Sequence, residues 1–315
     1  MNNENLKNIW FIGTGNFAAL CLENLISNGL SFSKILTGLP TRSGRNGKEN
    51  PSAVELKAIS LGLDVTRTGK LNENENLLAD LEKNTPDLIF VIDFGQIIKE
   101  PFLSAPKYGC LNIHPSLVPE YRGAAPIQRA LLDGKDYTGV SVFSLVKAMD
   151  AGPVLAQEKF LIPEDFNASD LYRELSKLGS KIAAEALEKI PEFNLNPQNE
   201  SQVTFADKLN KKDFEISFSM PAKKFCNYVR ALDMSGGAFI VINNKRVKIW
   251  RAKFHDEKAK EPGIVINCEK NPVISCEDFC VELIEVQTEG KKKTSGQEWA
   301  RGARIKNSEG LEVRG

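Results

Sequence analysis

Short apolar runs alternate with segments of helical spacing along the first half of the chain. The runs NIWFIG, SKILTGL, PDLIFVIDFG and GCLNIHPS each have the length of one buried strand. After the first run, the apolar residues Leu20, Leu22, Leu25 and Ile26 follow the period of a helix. Strands that alternate with helices pair in parallel through crossovers, so this order predicts an α/β domain built on a mostly parallel sheet.

The pattern changes after about residue 137. Two strand-like runs flank the tetrapeptide DAGP between residues 138 and 162, which predicts an antiparallel hairpin at the edge of the sheet. The next segment, DLYRELSKLGSKIAAEALEKI, carries one apolar stripe. This stripe predicts a long amphipathic helix that packs on the sheet.

A second domain is expected because 315 residues exceed a comfortable single core. The segment PEFNLNPQNESQ is rich in proline and amides without a period, which indicates a linker at about residues 191–205. We therefore divide the chain into domains 1–205 and 206–315. In the second, AFIVINNKRVKIW reads as a hairpin and further short strands follow, so a small β-barrel is expected.

Composition restricts the class of protein. Of the residues, 42% are hydrophobic and 26% charged, and no apolar run approaches the ~18 residues that a membrane helix needs. The stretch MNNENLKNIWFIG lacks the basic and apolar regions of a signal peptide. Six cysteines without a dense framework or a C-x-x-C pair indicate reduced thiols and no metal. We expect a cytoplasmic monomer without a membrane partner.

The charges balance over the whole chain, at 41 basic and 41 acidic residues, but not within its parts. Residues 210–315 hold 20 Lys and Arg against 15 Asp and Glu, a net charge of +5. An excess this small is typical of a solvated surface, yet it permits a polyanionic partner such as RNA.

The stretch GTGNFA after the first strand imitates a dinucleotide-binding turn. Such a fold places an acidic residue at the end of the second strand, and here LTGLPTRSGRNGKENPS has none at that point. Arg42 and Arg45 keep an NADP site open as an alternative. A tight structural turn at Gly13 and Gly15 is the favoured interpretation, so we expect no NAD(P).

The stretch GCLNIHPSLVPEYRGAAPIQRALLDG carries a stronger signal for chemistry. One of only two histidines, His114, ends a predicted strand, and alternation puts Asn112 on the same face. Active sites of open α/β sheets form at the carboxyl ends of strands. Asp150, in MDAGP, is a candidate to orient the imidazole. Structural roles for each residue alone remain open at this point.

The chain resembles the methionyl-tRNA formyltransferases, a family of folate-dependent formyltransferases, almost from end to end. The most specific part is LNIHPSLVPEYRGAAPIQRALLDGKDYTGVSVFSLVKAMDAG, and VTFADKLNKKDFEISFSMPAKKFCNYVRALD is similar to the start of the family's second domain. The resemblance implies a Rossmann-like domain followed by an OB-like barrel that binds tRNA. It implies transfer of a formyl group from 10-formyltetrahydrofolate to methionyl initiator tRNA for translation initiation. The residues that it implies are catalytic Asn112, His114 and Asp150, and donor-binding Ser116, Leu117, Val118 and Pro119.

A basic loop, PTRSGRNGKENPS, resembles the family's loop that enters the tRNA acceptor end, which makes Arg42, Arg45 and Lys48 candidate tRNA contacts. Lys291, Lys292 and Lys293 also lie where the family has basic residues. A solvated charge run is the simpler interpretation of each.

The chain departs from the family at three places. Gly15 and Asn16 replace a more common proline and aspartate, Asp93 replaces a small residue, and LDMSGGAF replaces a turn with proline and tryptophan. Four alternatives stay open: a formyltransferase for a sugar-nucleotide amine, a formyltetrahydrofolate hydrolase, an NADP oxidoreductase and a non-catalytic RNA-binding module.

Overall fold

Two compact units make up the chain in the computed structural model, which describes residues 6–43, 48–192, 194–242, 244–259 and 261–311. The first unit combines Met1–Pro126, Tyr137–Leu161 and Tyr172–Ala206, and the second combines Ile127–Asp136, Ile162–Leu171 and Asp207–Gly315. The functional division near residue 205 stays a prediction.

The secondary structure follows the chain as an alternating half and then a strand-rich half. The strands are β1 (Ile9–Gly13), β2 (Lys34–Gly38), β3 (Thr41–Ser43), β4 (Lys48–Asn50), β5 (Thr66–Thr68), β6 (Leu88–Ile92), β7 (Cys110–His114), β8 (Arg122–Gly123), β9 (Tyr137–Ser144), β10 (Val154–Leu161), β11 (Phe205–Ala206), β12 (Ala238–Ile242), β13 (Lys245–Lys258), β14 (Val265–Asn267), β15 (Val273–Ser275), β16 (Phe279–Thr288) and β17 (Thr294–Ser295). The α-helices are α1 (Asn16–Ser27), α2 (Ala53–Ser60), α3 (Glu75–Lys83), α4 (Pro126–Leu132), α5 (Ala168–Leu187), α6 (Ala222–Ala231) and α7 (Gly296–Ala303), and single 3-10 turns lie at Leu71–Glu73, Glu200–Gln202 and Lys211–Phe214.

The first unit is built on a seven-stranded sheet of order β10-β9-β7-β6-β1-β2-β5. Pairing is parallel from β5 through β7, while β9 runs antiparallel to β7 and β10 antiparallel to β9. The mostly parallel, Rossmann-like sheet with an antiparallel edge is therefore confirmed. Strand order reverses between β1 and β6, so the topological switch point of the sheet lies there.

Buried strands and one long helix position the active region. β1 and β6 are buried along their whole length, because apolar layers cover both faces of a parallel sheet. The predicted amphipathic helix is confirmed as α5. Gly179 of this helix lies so close to Ile113 of β7 and Val140 of β9 that a side chain there would overlap both. The helix thus packs directly behind the strand that ends in His114.

The proline- and amide-rich segment after α5 is an ordered part of the first unit. Asn196 exchanges both backbone hydrogen bonds with Val154, at 2.7 and 2.8 Å. Further on, Phe205 and Ala206 form β11, which pairs in parallel with β8. Gly123 is required there, because a Cβ atom would lie 2.8 Å from the Ala206 carbonyl and the residue has a φ of 126°.

The second unit contains an antiparallel sheet of order β12-β13-β16-β15-β14, with β17 beside β16. The predicted hairpin around residue 244 is confirmed as β12 and β13, and the predicted strand-rich C-terminal fold is confirmed with it. Residues 127–136 join this unit partly through Arg129, whose guanidinium donates to both carboxylate oxygens of Asp213 at 3.0 and 2.9 Å. In the departure LDMSGGAF, Gly237 turns against the ring of Trp250.

Membrane, thiol and metal features concern the part of the chain that the structure describes. No helix in that part is long and apolar enough to cross a membrane. All six cysteines are free thiols, and burial raises the pKa of Cys110 to about 12. No group of three His, Cys, Asp or Glu side chains within the described ranges is arranged to hold a metal ion.

Candidate active site

His114 ends β7 and is almost completely buried, with 5% of its surface exposed. Its Nε2 lies 2.9 Å from the carbonyl oxygen of Tyr121. Because a carbonyl oxygen only accepts hydrogen bonds, Nε2 carries the proton and donates it there. Nδ1 is therefore the nitrogen that remains for chemistry.

Asp150 faces this second nitrogen across the site. Its Oδ2 lies 3.9 Å from Nδ1 of His114, an ion-pair distance that is longer than a hydrogen bond. The same oxygen accepts a hydrogen bond of 2.8 Å from the backbone N–H of Gly123. The structure thus brings together the two residues, which are far apart in sequence.

Asn112 lies two residues before His114 on the same face of β7, as strand alternation predicts. It is half-buried, and its carboxamide has no hydrogen-bond partner among the residues that the structure describes. The strand face that ends in His114, opposite Asp150, therefore also carries an amide whose donors are uncommitted. Such a set suits an oxygen atom on which negative charge develops.

The stretch Ser116–Pro119 follows β7 directly and is held by side chains of the neighbouring strands. The Ser116 hydroxyl donates to the carbonyl of Glu120 at 2.7 Å, and Ser116 is 1% exposed. The Ser141 hydroxyl donates to the Ser116 carbonyl at 2.6 Å, and Gln157 donates to the Val118 carbonyl at 2.7 Å. Ser116 is thus occupied by the fold, whereas Leu117 and Pro119 are half-buried and keep accessible surface.

A pocket of about 350 Å³ lies beside this stretch, within the first unit. Its walls come from three segments: Val118 and Pro119, residues 154–157 of β10, and residues 196–199. Its volume is in the range of small-molecule sites, which start at roughly 300 Å³. Two of the four predicted donor-binding residues therefore line a concave surface.

The glycine turn after β1 has a different occupant. The helix α1 begins without a side-chain cap of its own, and the carboxylate of Asp93 lies at its start, where the N–H groups of Phe17 and Ala18 lower the carboxyl pKa. A Cβ atom on Gly15 would overlap that carboxylate. Asp93 therefore occupies the anion-binding end of α1, where a dinucleotide fold holds its pyrophosphate.

Two departures from the family pattern thus explain each other. Asp93 adopts a left-handed φ of 45°, and its carbonyl accepts hydrogen bonds from the N–H groups of Thr14 and Gly15, both at 3.0 Å. Desolvation raises the pKa of the Asp93 carboxyl, while the N–H groups of Phe17 and Ala18 act in the opposite direction. Gly15 is needed because the carboxylate of Asp93, the residue directly after β6, fills the space beside the turn.

The predicted tRNA loop forms a two-stranded sheet of β3 and β4, in which Arg42 is opposite Glu49 and Lys48 is opposite Ser43. Arg45 lies outside the described residues. The position of this basic hairpin toward a tRNA stays a prediction.

Sequence reasoning missed the residues that hold the site in place. Arg122 bonds Gln198, Gln198 bonds the Asp150 turn, and Ser141 and Gln157 hold the loop after His114. Arg122 had one usable signal, since it lies in the quoted motif YRGAAP. Gln198 had none, because an amide in a proline-rich segment is typical of exposed linkers.

Comparison with known proteins supports one family. The family model described as formyl transferase matches residues 7–187, and the model of the formyl transferase C-terminal domain matches residues 208–304. The methionyl-tRNA formyltransferase of Lactobacillus gasseri is 36% identical over 301 residues, which cover 94% of this chain and 96% of that protein. That of Caldicellulosiruptor saccharolyticus is 34% identical over 306 residues, covering 96% and 98%.

Solved structures share the fold at lower identity. HypX from Aquifex aeolicus in complex with tetrahydrofolic acid matches with a TM-score of 0.64 and 18% identity, covering 98% of this chain and 51% of that chain. The sugar 3N-formyl transferase WlaRD matches with a TM-score of 0.62 and 20% identity, covering 90% and 98%. Since two family models match most of the sequence and relatives above 30% identity match nearly all of it, the chain belongs to the methionyl-tRNA formyltransferase family.

Proposed function

We propose that this protein transfers the formyl group of 10-formyltetrahydrofolate to the amino group of methionine on initiator methionyl-tRNA. The product is formylmethionyl-tRNA, the substrate of translation initiation. One observation supports the proposal: in a chain of this family the Asp150 carboxylate faces the imidazole of His114 at the end of β7, and Asn112 lies two residues earlier on the same strand.

The residues at this point fit a folate-borne formyl group. The folate supplies a formyl carbonyl that an amine can attack, and the site supplies donors for its oxygen and an acceptor for the amine's proton. The donor set at the end of β7 consists of an amide and an imidazole. Polarisation of the carbonyl is therefore assigned to these side chains.

Asn112 and His114 act on the formyl oxygen. Asn112 donates through its uncommitted carboxamide, and His114 donates through Nδ1 when the ring is protonated, because Nε2 is already bonded to Tyr121. One preorganised donor of this kind is worth about 2.7–4 kcal/mol in comparable oxyanion sites. Burial of His114 strengthens the effect, since water competes little for the same bonds.

Asp150 stabilises the protonated imidazole and receives the proton that the attacking amine loses. Its Oδ2 is 3.9 Å from Nδ1, so the two groups share no direct hydrogen bond. As the new C–N bond forms, the amine proton passes to Asp150 directly or through one water molecule, and a proton is returned to N10 of the folate as the C–N10 bond breaks and tetrahydrofolate leaves. The Oδ2 oxygen is also fixed by the N–H of Gly123. The carboxylate therefore has a defined direction before substrate binds.

Donor binding is assigned to the loop after His114. Leu117, Val118 and Pro119 contribute apolar contacts and backbone groups, and the Ser116 hydroxyl contributes indirectly by holding the Glu120 carbonyl. Gln157 and Ser141 hold the loop in place from the neighbouring strands β10 and β9. A rigid donor site lowers the entropy lost on binding.

The acceptor tRNA is assigned to basic surface in two places. Arg42 lies in β3 and Lys48 in β4, and Arg45 lies between them in sequence. In the C-terminal part, Lys293 lies 3.6 Å from the ring centre of Trp250. Cations with aromatic rings suit a phosphate backbone and stacked bases. We propose residues 1–205 as the catalytic domain and 206–315 as the tRNA-binding domain, joined by a linker at 191–205.

We also propose that the protein acts as a monomer in the cytoplasm. Formylation precedes translation initiation, which occurs there, and all six cysteines are free thiols. Light scattering at micromolar concentration should give the mass of one chain, 34.9 kDa.

The test supplies purified protein with 10-formyltetrahydrofolate and methionyl initiator tRNA and follows formylmethionine and formate separately. Formylmethionine that requires both substrates supports the proposal. Formate without tRNA would instead indicate a hydrolase, and formylation of a sugar-nucleotide amine would indicate the other open acceptor. Bound NADP, detected by its absorbance, would contradict the role of Asp93 at the helix end.

A further inference from the structure

The main chain of the Asp150 turn is held by one side chain from a distant segment. The carboxamide nitrogen of Gln198 donates to the carbonyl of Asp150 at 2.8 Å and to the carbonyl of Gly152 at 2.7 Å. Both of its N–H groups are thereby used. The opposite orientation of the amide would place an oxygen against two carbonyl oxygens, so the contacts define which way it points.

Gln198 is itself oriented by a buried arginine. Arg122, which is 4% exposed, donates from Nε at 3.1 Å and from Nη2 at 2.7 Å to Oε1 of Gln198. The remaining donors of the guanidinium bond both carboxylate oxygens of Glu200, at 3.2 and 2.7 Å. A planar guanidinium with fixed donors is suited to hold an amide and a carboxylate at once.

The same segment fixes the residue that bonds the Asp150 side chain. The backbone N–H of Arg122 donates to the Thr204 carbonyl at 3.0 Å, and Arg122 and Gly123 pair with Phe205 and Ala206. Gly123 then donates to Oδ2 of Asp150. Both the main chain and the carboxylate of Asp150 are therefore set by residues 198–206 and their partner Arg122.

The turn needs such support because of its backbone conformation. Asp150 has a φ of 50°, in the left-handed region that side chains other than glycine adopt at a cost of about 1 kcal/mol or more. Such a conformation persists only where its surroundings determine it. The bonds from Gln198 and Gly123 are what the structure supplies there.

We propose that Gln198 is a positioning residue for this active site: it holds the Asp150 turn so that the carboxylate faces Nδ1 of His114, and Arg122 orients it. The inference rests on the proposed function, because it assigns to Asp150 a role in formyl transfer. Gln198 touches neither reacting atom and acts only through Asp150.

The test uses the full chain with Gln198→Met, which is neutral and of similar length but donates no hydrogen bonds. A misplacement of about 1 Å in an active site can lower the rate on the order of 100-fold. We expect kcat to fall roughly ten- to a hundredfold, with KM for tRNA within about twofold, because the variant displaces a reacting group and no tRNA contact.

Two further variants separate the causes. Gln198→Glu keeps an acceptor for Arg122 but has no donors for the two carbonyls, so kcat should stay low if Gln198 acts on the turn. Recovery in this variant would show that Arg122 only needs a partner and would overturn the inference. Gln202→Met is the matched control: Gln202 is exposed, lies outside the pocket walls and makes no side-chain hydrogen bond among the described residues, so this variant should keep the wild-type rate.

A spectroscopic readout makes the inference independent of turnover. The chain has two histidines, so the imidazole resonances of His114 can be followed with His255 as the internal reference. Gln198→Met should move the His114 resonances as Asp150→Asn does and leave those of His255 in place. Unmoved His114 resonances would overturn the inference. Wild-type kcat in Asp150→Asn would contradict the proposed function instead.

Discussion

An aspartate lies at the carboxyl ends of two parallel strands of the first unit, Asp93 after β6 and Asp150 beside β7. The two sites look alike but differ in how far their polar groups are occupied. At the switch point, Asp93 has a φ of 45° and reaches the start of α1. Beside β7, Asp150 has a φ of 50° and reaches His114. Asp93 fills the space beside Gly15, and the N–H groups of Phe17 and Ala18 act to lower its pKa. Asp150 faces a titratable ring across 3.9 Å, next to an amide without a partner.

The difference shows how to recognise a site that is open to chemistry. A glycine turn at a helix start resembles a phosphate cradle in sequence, but here the protein's own carboxylate occupies the space beside the turn. The end of β7 carries no such glycine motif, yet its polar groups are left partly unsatisfied: among the described residues the Asn112 carboxamide has no partner, and Nδ1 of His114 is 3.9 Å from the nearest carboxylate oxygen of Asp150. Unused hydrogen-bond capacity in a concave, buried place is the informative feature.

The largest expected effect is the loss of catalysis when the site at the end of β7 is changed. His114→Ala should lower kcat at least about a hundredfold, because it removes an oxyanion donor and the partner of Asp150. His255→Ala is the matched control, since that side chain is 44% exposed and is expected to have no part in the reaction. Steady-state kinetics with unchanged thermal unfolding checks both. A nearly wild-type rate in His114→Ala would contradict the catalytic role proposed for the site at the end of β7.

The next effect concerns the glycine turn beside Asp93 and is measured as a change in the free energy of unfolding. Gly15→Ala should lower the free energy of unfolding by about 1–3 kcal/mol, because the new methyl group overlaps the Asp93 carboxylate. Adding Asp93→Ser removes the overlap together with the cap, so the double variant should cost less than the sum of the single ones. Urea unfolding of all four proteins measures this coupling.

Gly302→Ala supplies the control for that cycle. A Cβ atom there would meet nothing within 4 Å, and the residue lies in α7. Alanine in a helix is favoured over glycine, so unfolding should become slightly harder. Strict additivity of Gly15→Ala and Asp93→Ser would show that Asp93 does not block the turn.

The smallest effect is the opposite pH dependence of two carboxyl groups, one from each region. Desolvation raises the pKa of Asp93, so at pH values above its folded pKa the group lowers stability, and this penalty disappears as the pH falls through that pKa. The hydrogen bond from Arg122 lowers the pKa of Glu200, so its contribution is present above its usual pKa of about 4.5 and is lost as the pH falls through the folded value.

Melting temperatures between pH 3 and 7 test this contrast with Asp93→Asn and Glu200→Gln. The Glu200→Gln variant should melt below wild type at pH 7 and converge with it at acidic pH. Asp93→Asn removes the pH-dependent contribution of Asp93 to stability. Because wild type gains stability as the pH falls and this variant does not, the melting temperature of Asp93→Asn relative to wild type should fall as the pH falls. Equal pH slopes in all three proteins would show that neither carboxyl group is perturbed by folding.

Much of the fold followed from local pattern. The apolar runs of β1, β6 and β7, the stripe of α5 and the hairpin of β12 and β13 each have a period that their burial requires. Pairing Asn112 with His114 also followed, because alternation along a strand is a local property. The approach of Asp150 to His114 was a candidate in sequence, and the contact itself required the fold.

The sequence by itself determined the alternating α/β order, the strand-rich C-terminal half, and the family motif that names the residues of the proposed site. Tertiary structure decided that Nε2 of His114 is committed to Tyr121, that Asp93 fills the glycine turn, and that Gln198 of the expected linker holds the Asp150 turn. The physical reason is the range of the interactions: periodicity reports burial of neighbours along the chain, whereas hydrogen bonds between distant segments depend on where the completed sheet places their ends.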